Sequence, residues 1–243
     1  RDPGAALEIL VRARELSDDN VATFEWMRRL CLDFVLGHIP DTRDPFGSPY
    51  DQYLLVELSS GHSDGGLRET LETVLNEAIE GGLAHDAVIA ESVAQAADFW
   101  RLRDSISEAE RAEGPALQHD ISVPVDLMPA FIAENPGRLT SAFSGARALS
   151  FGHLGDGNVH HHVQPPTDAD GAAWLAEHGA AVSRLVYSHV LELGGSISAE
   201  HGIGQMKRDI LAELDSPARL SALRGVKAGL DPAGIFNPGK LVA

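Results

Sequence analysis

A tight reversal at residues 155–158, Gly-Asp-Gly-Asn, constrains this chain more than any other feature of its sequence. These residue types tolerate positive φ, and a β-rich stretch lies on either side, at residues 148–153 and 159–163. So short a connection can join antiparallel strands but not parallel ones. We therefore predict a β-hairpin here, inside an α+β fold.

The hairpin carries a run of histidines. If residues 155–158 form the loop, His153 faces His160 directly across the ladder, and the two imidazoles can share one divalent ion. His162 projects from the same face as His160, whereas His161 points to the opposite face. The alternative is a pair of structural or surface histidines. The two opposed rings favour a metal site.

A second motif, Gly194 to Gly204, contains Glu200 followed by His201. The flanking glycines indicate an irregular loop in which both side chains can reach one pocket. Two histidines and one carboxylate suit a catalytic divalent ion such as Zn, Mn or Fe. His201, beside that ion, would be the natural proton acceptor. The alternative is a loop that enters a helix at Ile203, with Glu200 near the positive helix end.

The composition excludes several function classes. A net charge of -17 argues against nucleic acid and against an anionic membrane surface. If the substrate is an anion, local cations or a metal must overcome this field. Cys31 is the single cysteine, so no intramolecular disulfide forms, and no run approaches the ~20 apolar residues of a membrane span. With no visible signal peptide, we expect a cytoplasmic location.

Hydrophobic periodicity predicts short strands and long helices. The predicted strands are 53–58, 87–90, 121–125 and the two hairpin arms, and the predicted helices are 4–17, 20–36, 66–80, 91–112, 168–193, 203–214 and 216–229. A further helix begins at Asp126, and residues 40–49 read as a loop. These elements predict an antiparallel sheet covered by helices, plus a C-terminal helical segment.

Five stretches together carry a resemblance to a known family, and they are Trp100 to Ile106, His119 to Pro124, Gly152 to His160, Gly195 to Gly204, and Asp231 to Lys240. In this order they resemble the C-terminal domain of the FAD-linked oxidase family, flavoenzymes of the vanillyl-alcohol-oxidase type. The family includes D-lactate and D-2-hydroxyglutarate dehydrogenases. The resemblance implies a ferredoxin-like cap.

The resemblance also implies roles for single residues. His153, His160 and Glu200 match metal ligands, His201 matches the catalytic base, and Arg103 matches the arginine that grips the substrate carboxylate. The remaining matches are substrate-side positions Ser107, Gln118 and His162, and flavin-side positions Asn237 and Lys240. Taken without the resemblance, Arg103 could be an exposed helix arginine and Asn237 part of a plain turn.

Two positions depart from the family pattern. Members that act on hydroxy acids commonly have a lysine where this chain has Gln118, and an asparagine where it has His162. The loss of that cation weakens the case for a dicarboxylate such as 2-hydroxyglutarate and leaves the 2-hydroxy-acid class standing.

The resemblance implies two units, a substrate or cap domain at 1–193 and a helical segment at 194–243 that contacts a flavin domain. The family's N-terminal FAD-binding domain is not in this chain, so we expect the chain alone to be inactive.

The predicted function is the substrate- and metal-binding part of a flavin-dependent dehydrogenase that oxidises a D-2-hydroxy acid to the 2-oxo acid. The implied cofactors are FAD and a divalent metal, with Zn first and Mn or Fe as alternatives. The implied partners are a small anionic 2-hydroxy acid and an electron acceptor such as an electron-transfer flavoprotein or a quinone, and a homodimer is one option. Two other classes stay open: a metal-dependent hydrolase that uses the same histidines and carboxylate, and a non-catalytic binding fragment.

Overall fold

The computed structural model of the chain describes residues 1–62 and 66–242. Its elements follow in the order α1 (Pro3–Leu16), β1 (Val21–Arg28), α2 (Arg29–His38), β2 (Gln52–Leu58), α3 (Leu67–Glu80), α4 (Val93–Asp104), α5 (Ile106–Glu113), β3 (Leu117–Ser122), a 3-10 turn (Val125–Leu127), α6 (Met128–Ala142), β4 (Arg147–His153), β5 (Asn158–Gln164), α7 (Gly171–Glu192), α8 (Arg208–Leu214) and α9 (Pro217–Leu230). Among the described helices, none is long and apolar enough to cross a membrane.

The strands form one five-stranded antiparallel sheet in the order β2-β1-β4-β5-β3. The predicted hairpin, β4 with β5, lies near its centre and is paired on both sides. The α+β class and the antiparallel sheet are therefore confirmed.

Helices cover the sheet on two faces, because side chains alternate between the faces along each strand. On the front face, Met27, Leu149 and Phe151 pack with residues of α2, α4 and α5. On the back face, Phe24 and Val159 belong to a larger core that includes residues of α1, α3, α6 and α7. The candidate site is built on the front face.

The prediction of a helix over residues 20–36 is wrong at its start. Residues Val21–Arg28 form strand β1, which pairs with β2 on one side and β4 on the other, and the helix begins only at Arg29. Phe24 and Trp26 bury their side chains on the back face while Met27 packs on the front. The Val, Thr, Phe and Trp content suits a strand that is covered on both faces, and tertiary pairing decided the outcome.

Other boundaries also differ from prediction. Residues 87–90 form no strand and are partly exposed, and the predicted helix 91–112 is two helices that meet at Ser105. The strand predicted at 121–125 begins earlier and ends at Ser122, and the helix predicted at 203–214 begins only at Arg208.

The hairpin register is two residues away from the predicted one. His153 pairs with Asn158, and His160 pairs with Phe151, so the loop is Leu154–Gly157. Leu154 is therefore a loop residue, and its side chain is fully buried in the back core. Gly157 has a φ of 79°, and a Cβ at this position would lie 2.0 Å from the Val123 carbonyl oxygen. An even shift keeps every side chain on its face, so His153 and His160 remain neighbours.

Candidate metal and substrate site

Three side chains converge at the end of the hairpin on the front face. The ligand atoms of His153, His160 and Glu200 all lie within 4.8 Å of one another. His153 comes from the end of β4, His160 from β5, and Glu200 from the segment between α7 and α8. We call these three residues the triad. It is the set predicted from the sequence, although the two histidines are diagonal neighbours rather than a directly opposed pair.

The Glu200 segment is fixed to the sheet through the buried carboxylate of Asp120, which lies opposite His160 on β3. Its Oδ2 accepts hydrogen bonds from the backbone amides of Glu200 at 2.9 Å and His201 at 2.8 Å. Burial acts to raise the pKa of Asp120, but these two amides, together with the nearby His201 and Lys207 side chains, outweigh it and the pKa is lowered. An ionised Asp120 therefore sets the position of both residues.

Two further contacts hold the same segment. Ser196 forms a β-bridge with Ser122, and a Cβ at Gly195 would lie 2.2 Å from the Ser122 carbonyl oxygen, so only glycine permits this approach. The side-chain amide of Asn158 donates a 2.5 Å hydrogen bond from Nδ2 to Glu200 Oε1. The Glu200 carboxylate is thereby aimed at the hairpin histidines.

His201 extends into solvent beside the triad. Its side chain is 70% exposed, and its Nδ1 lies 3.7 Å from Asp120 Oδ2. An imidazole with an exposed ring and a carboxylate behind it is placed to exchange a proton with a bound molecule.

Arg103 lies on the front face, but its guanidinium already has a partner. Its Nε donates a 2.7 Å hydrogen bond to Glu25 Oε2, and its guanidinium carbon lies 4.9 Å from the Phe151 ring centroid. Glu25 also lies 3.3 Å from His153 Nε2, so it links the arginine to the triad. Sequence reasoning missed Glu25 because it lies in the stretch predicted as a helix.

The triad histidine on β5 is held neutral. Burial, the nearby Arg103 and His162 together lower the pKa of His160 to about 4. Only a deprotonated imidazole can bind a metal, so this environment prepares His160 as a ligand at neutral pH.

Gln118 and His162 meet at a third residue that the sequence did not reveal. Both contact Glu110 Oε2, Gln118 through its Nε2 at 3.1 Å and His162 through its Nδ1 at 2.7 Å. Glu110 comes from α5, and its role depends on how that helix packs against β5. Ser107 lies on an exposed side of the same helix and, among the described residues, shares no hydrogen bond with this group.

The two flavin-side candidates lie in the loop after α9 and not with the triad. Asn237 is exposed with a φ of 45°, and its carbonyl oxygen accepts a hydrogen bond from the Lys240 amide at 3.2 Å. Asp231 holds the loop by accepting the amides of Ile235 and Phe236. The Ile235 and Phe236 side chains are left 69% and 61% exposed.

The triad fits a divalent cation in its chemistry. It offers two imidazoles and one carboxylate, and their part-exposed position leaves coordination sites open to a small molecule. No other such group occurs among residues 1–62 and 66–242.

Comparison with known proteins finds matches that cover almost the whole chain. The family model described as FAD linked oxidases, C-terminal domain, matches residues 2–241. A protein of Arabidopsis thaliana named D-2-hydroxyglutarate dehydrogenase, mitochondrial, is 34% identical over 97% of this chain and 40% of its own length. D-2-hydroxyglutarate dehydrogenase of Xanthomonas citri is 37% identical over 90% of the chain and 45% of its own length. The chain thus spans about two fifths of these curated relatives.

Proposed function

Because the chain belongs to the FAD-linked oxidase family, as its C-terminal domain, we propose that it is the substrate- and metal-binding part of a flavin-dependent dehydrogenase. The substrate is a D-2-hydroxy acid, which becomes the 2-oxo acid. The convergence of His153, His160 and Glu200 beside an exposed His201 is the observation that carries this proposal. A hydrolase of the same ligand set would need no flavin, and the family membership favours the dehydrogenase.

The triad would hold a divalent ion, with Zn first and Mn or Fe as alternatives. When bound, such an ion would supply Lewis acidity toward a substrate hydroxyl, and the family's flavin would supply the redox chemistry. The chain's own contribution is to supply two imidazoles and a carboxylate in fixed positions.

His201 would take the proton of the substrate hydroxyl. Its backbone amide is fixed by Asp120, and the same carboxylate lies 3.7 Å from its ring, where it stabilises the imidazolium that forms.

Arg103 would bind the substrate carboxylate with its remaining guanidinium donors. One edge of its planar fork is engaged by Glu25. Its other nitrogens have no hydrogen-bond partner in the part of the chain that the structure describes, so they can bind a second carboxylate. In a chain with a net charge of -17, this arginine and the ion supply the local positive charge that an anionic substrate needs.

The C-terminal segment 194–243 would contact the flavin-binding part of the protein, with Asn237 and Lys240 near the flavin. Exposed apolar side chains gather in this segment, at Met206, Val226, Leu230, Ile235 and Phe236. Apolar exposure on this scale is typical of an interface. The cytoplasmic location, the electron acceptor and the homodimer stay predictions.

The direct test uses the flavoenzyme that contains this chain. Under anaerobic conditions, addition of a D-2-hydroxy acid should bleach the flavin absorbance, whereas the L enantiomer should not. Prior treatment with EDTA should abolish the bleaching, and added Zn or Mn should restore it. A flavin that no D-2-hydroxy acid reduces would sink the proposal.

A further inference from the structure

One buried carboxylate of the front face lies outside the triad and outside the proposed proton transfer. Glu25 belongs to the middle of strand β1 and is 5% exposed. A buried carboxylate is costly unless charged partners compensate it. Within residues 1–62 and 66–242, the ionic partners of Glu25 are Arg103 and His153. Both partners are residues of the candidate site, which ties this carboxylate to the site.

The first partner lies directly across the sheet. Glu25 of β1 pairs with His153 of β4, so the two side chains are neighbours on one face. Glu25 Oε1 lies 3.3 Å from His153 Nε2, while His153 Nδ1 lies 3.7 Å from Glu200 Oε1. Histidines that bind metals usually have a carboxylate or carbonyl at the ring nitrogen that faces away from the ion, which fixes the ring orientation. Glu25 is placed to hold the His153 ring with Nδ1 toward Glu200.

The second partner comes from helix α4. Arg103 Nε donates a 2.7 Å hydrogen bond to Glu25 Oε2, and its side chain is 13% exposed. The guanidinium also packs on the Phe151 ring, with its carbon 4.9 Å from the ring centroid. A charge-assisted hydrogen bond that is shielded from solvent holds a long side chain in one position. One oxygen of Glu25 therefore engages the arginine, and the other contacts a triad histidine.

We propose that Glu25 is a positioning residue that couples the metal site to the arginine that binds the substrate. Its two oxygens hold His153 and Arg103 at a fixed separation. The hydroxyl and the carboxylate of a 2-hydroxy acid are on adjacent carbons, so a fixed spacing between the ion and the guanidinium suits this class of substrate. This inference rests on the proposed function.

The test is Glu25→Gln in the flavoenzyme that contains this chain, a change that keeps the side-chain shape and removes the charge. Titration of Zn against a competing chelator should show an affinity about tenfold weaker. At saturating Zn, KM for D-lactate or D-2-hydroxyglutarate, whichever reduces the wild-type flavin, should rise about tenfold with little change in kcat. A residue that only stabilised the fold would lower the melting temperature and leave the KM of the folded enzyme unchanged.

A double-mutant cycle separates the two contacts. In an Arg103→Met background, Glu25→Gln should no longer change KM, yet it should still weaken Zn affinity. Glu57→Gln is the matched control, because Glu57 is an exposed glutamate of the neighbouring strand β2. It should change neither parameter.

If Glu25→Gln does not retain flavin, Glu25→Asp carries the test. Its shorter carboxylate cannot reach both partners, so both parameters should change in the same directions. Zn affinity or KM at its wild-type value in the variant, or a KM rise that persists undiminished in the Arg103→Met background, overturns the inference. If neither acid reduces the wild-type flavin, the proposed function fails, and the inference with it.

Discussion

The consecutive histidines of strand β5 point to opposite faces of the sheet. The two faces therefore carry two histidine groups, which differ in solvent access and in whether a carboxylate lies beside them. On the front face, His153 and His160 lie with Glu200 and have partial access to solvent. On the back face, His119 and His161 are fully buried between the sheet and α7, and no carboxylate joins them in the described structure.

The back-face histidines make hydrogen bonds to neutral partners, although the buried His161 Nε2 has no partner within the described residues. His119 Nδ1 lies 2.9 Å from the His161 carbonyl oxygen, so it must donate, and Nε2 then accepts from the Ser183 hydroxyl at 3.0 Å. His161 Nδ1 pairs with the Ser150 hydroxyl at 2.8 Å. Under the proposed function, adjacent residues of one type therefore serve opposite purposes, ligation in front and packing behind. Within the described residues, the front-face pair has both a carboxylate and solvent access, and His119 and His161 have neither.

The largest expected effect concerns the front face. His201→Ala in the intact flavoenzyme should lower kcat by roughly 10²–10⁴, because the proton acceptor is removed. Anaerobic stopped-flow measurement of flavin reduction would report it. Gln205→Ala, in the same exposed segment, is the control and should have little effect. Unchanged flavin reduction in the His201 variant would remove this residue from the mechanism.

The buried back-face histidine His119 should make the free energy of unfolding depend on pH in the acid range. Burial lowers the pKa of His119 from 6.5 to about 4, so the unfolded chain binds more protons than the folded chain between these values. Stability should therefore fall by roughly 3 kcal/mol as the pH falls through this window. His119→Gln should flatten the dependence in urea unfolding with a chelator present. An equally steep fall in the variant would contradict this reading of the back face.

A matched pair of alanine variants separates packing from ligation. His161→Ala leaves a cavity and an unpaired Ser150 hydroxyl, and should cost about 2 kcal/mol in the free energy of unfolding. His153→Ala, at a side chain 36% exposed, should change stability by less than about 0.5 kcal/mol. Chemical denaturation of the metal-free chain measures both. Equal losses would mean that the two faces do not differ as described.

The smallest effect tests the link between the sheet and the Glu200 segment. Asp120→Asn replaces the ionised acceptor of two backbone amides and should weaken metal affinity about tenfold. Titration with a competing chelator would measure this, with exposed Asp126→Asn as the control. Unchanged affinity in a folded variant would show that Asp120 does not position Glu200.

The sequence was sufficient for the hairpin and the triad, since glycine-rich turns and His, Glu and Gly residues have strong local meaning. It was insufficient for Glu25, because the stretch around it also satisfies a helical pattern and only pairing with β2 and β4 makes it a strand. The roles of Asp120 and Glu110 arise from contacts with residues far away in the chain, which no local pattern reveals. The register differed by two residues because the loop is Leu154–Gly157 and not 155–158, and both choices satisfy the same local turn pattern.

The central claim, that the front-face histidines form a metal site and the back-face histidines do not, is tested most directly by metal content. Wild-type flavoenzyme and its variants would be purified without added chelator and measured by plasma mass spectrometry. We expect about one divalent ion per chain in the wild type and in His161→Ala, and almost none in His153→Ala or Glu200→Ala. A metal-free wild type, or metal retained in both front-face variants, would contradict the assignment.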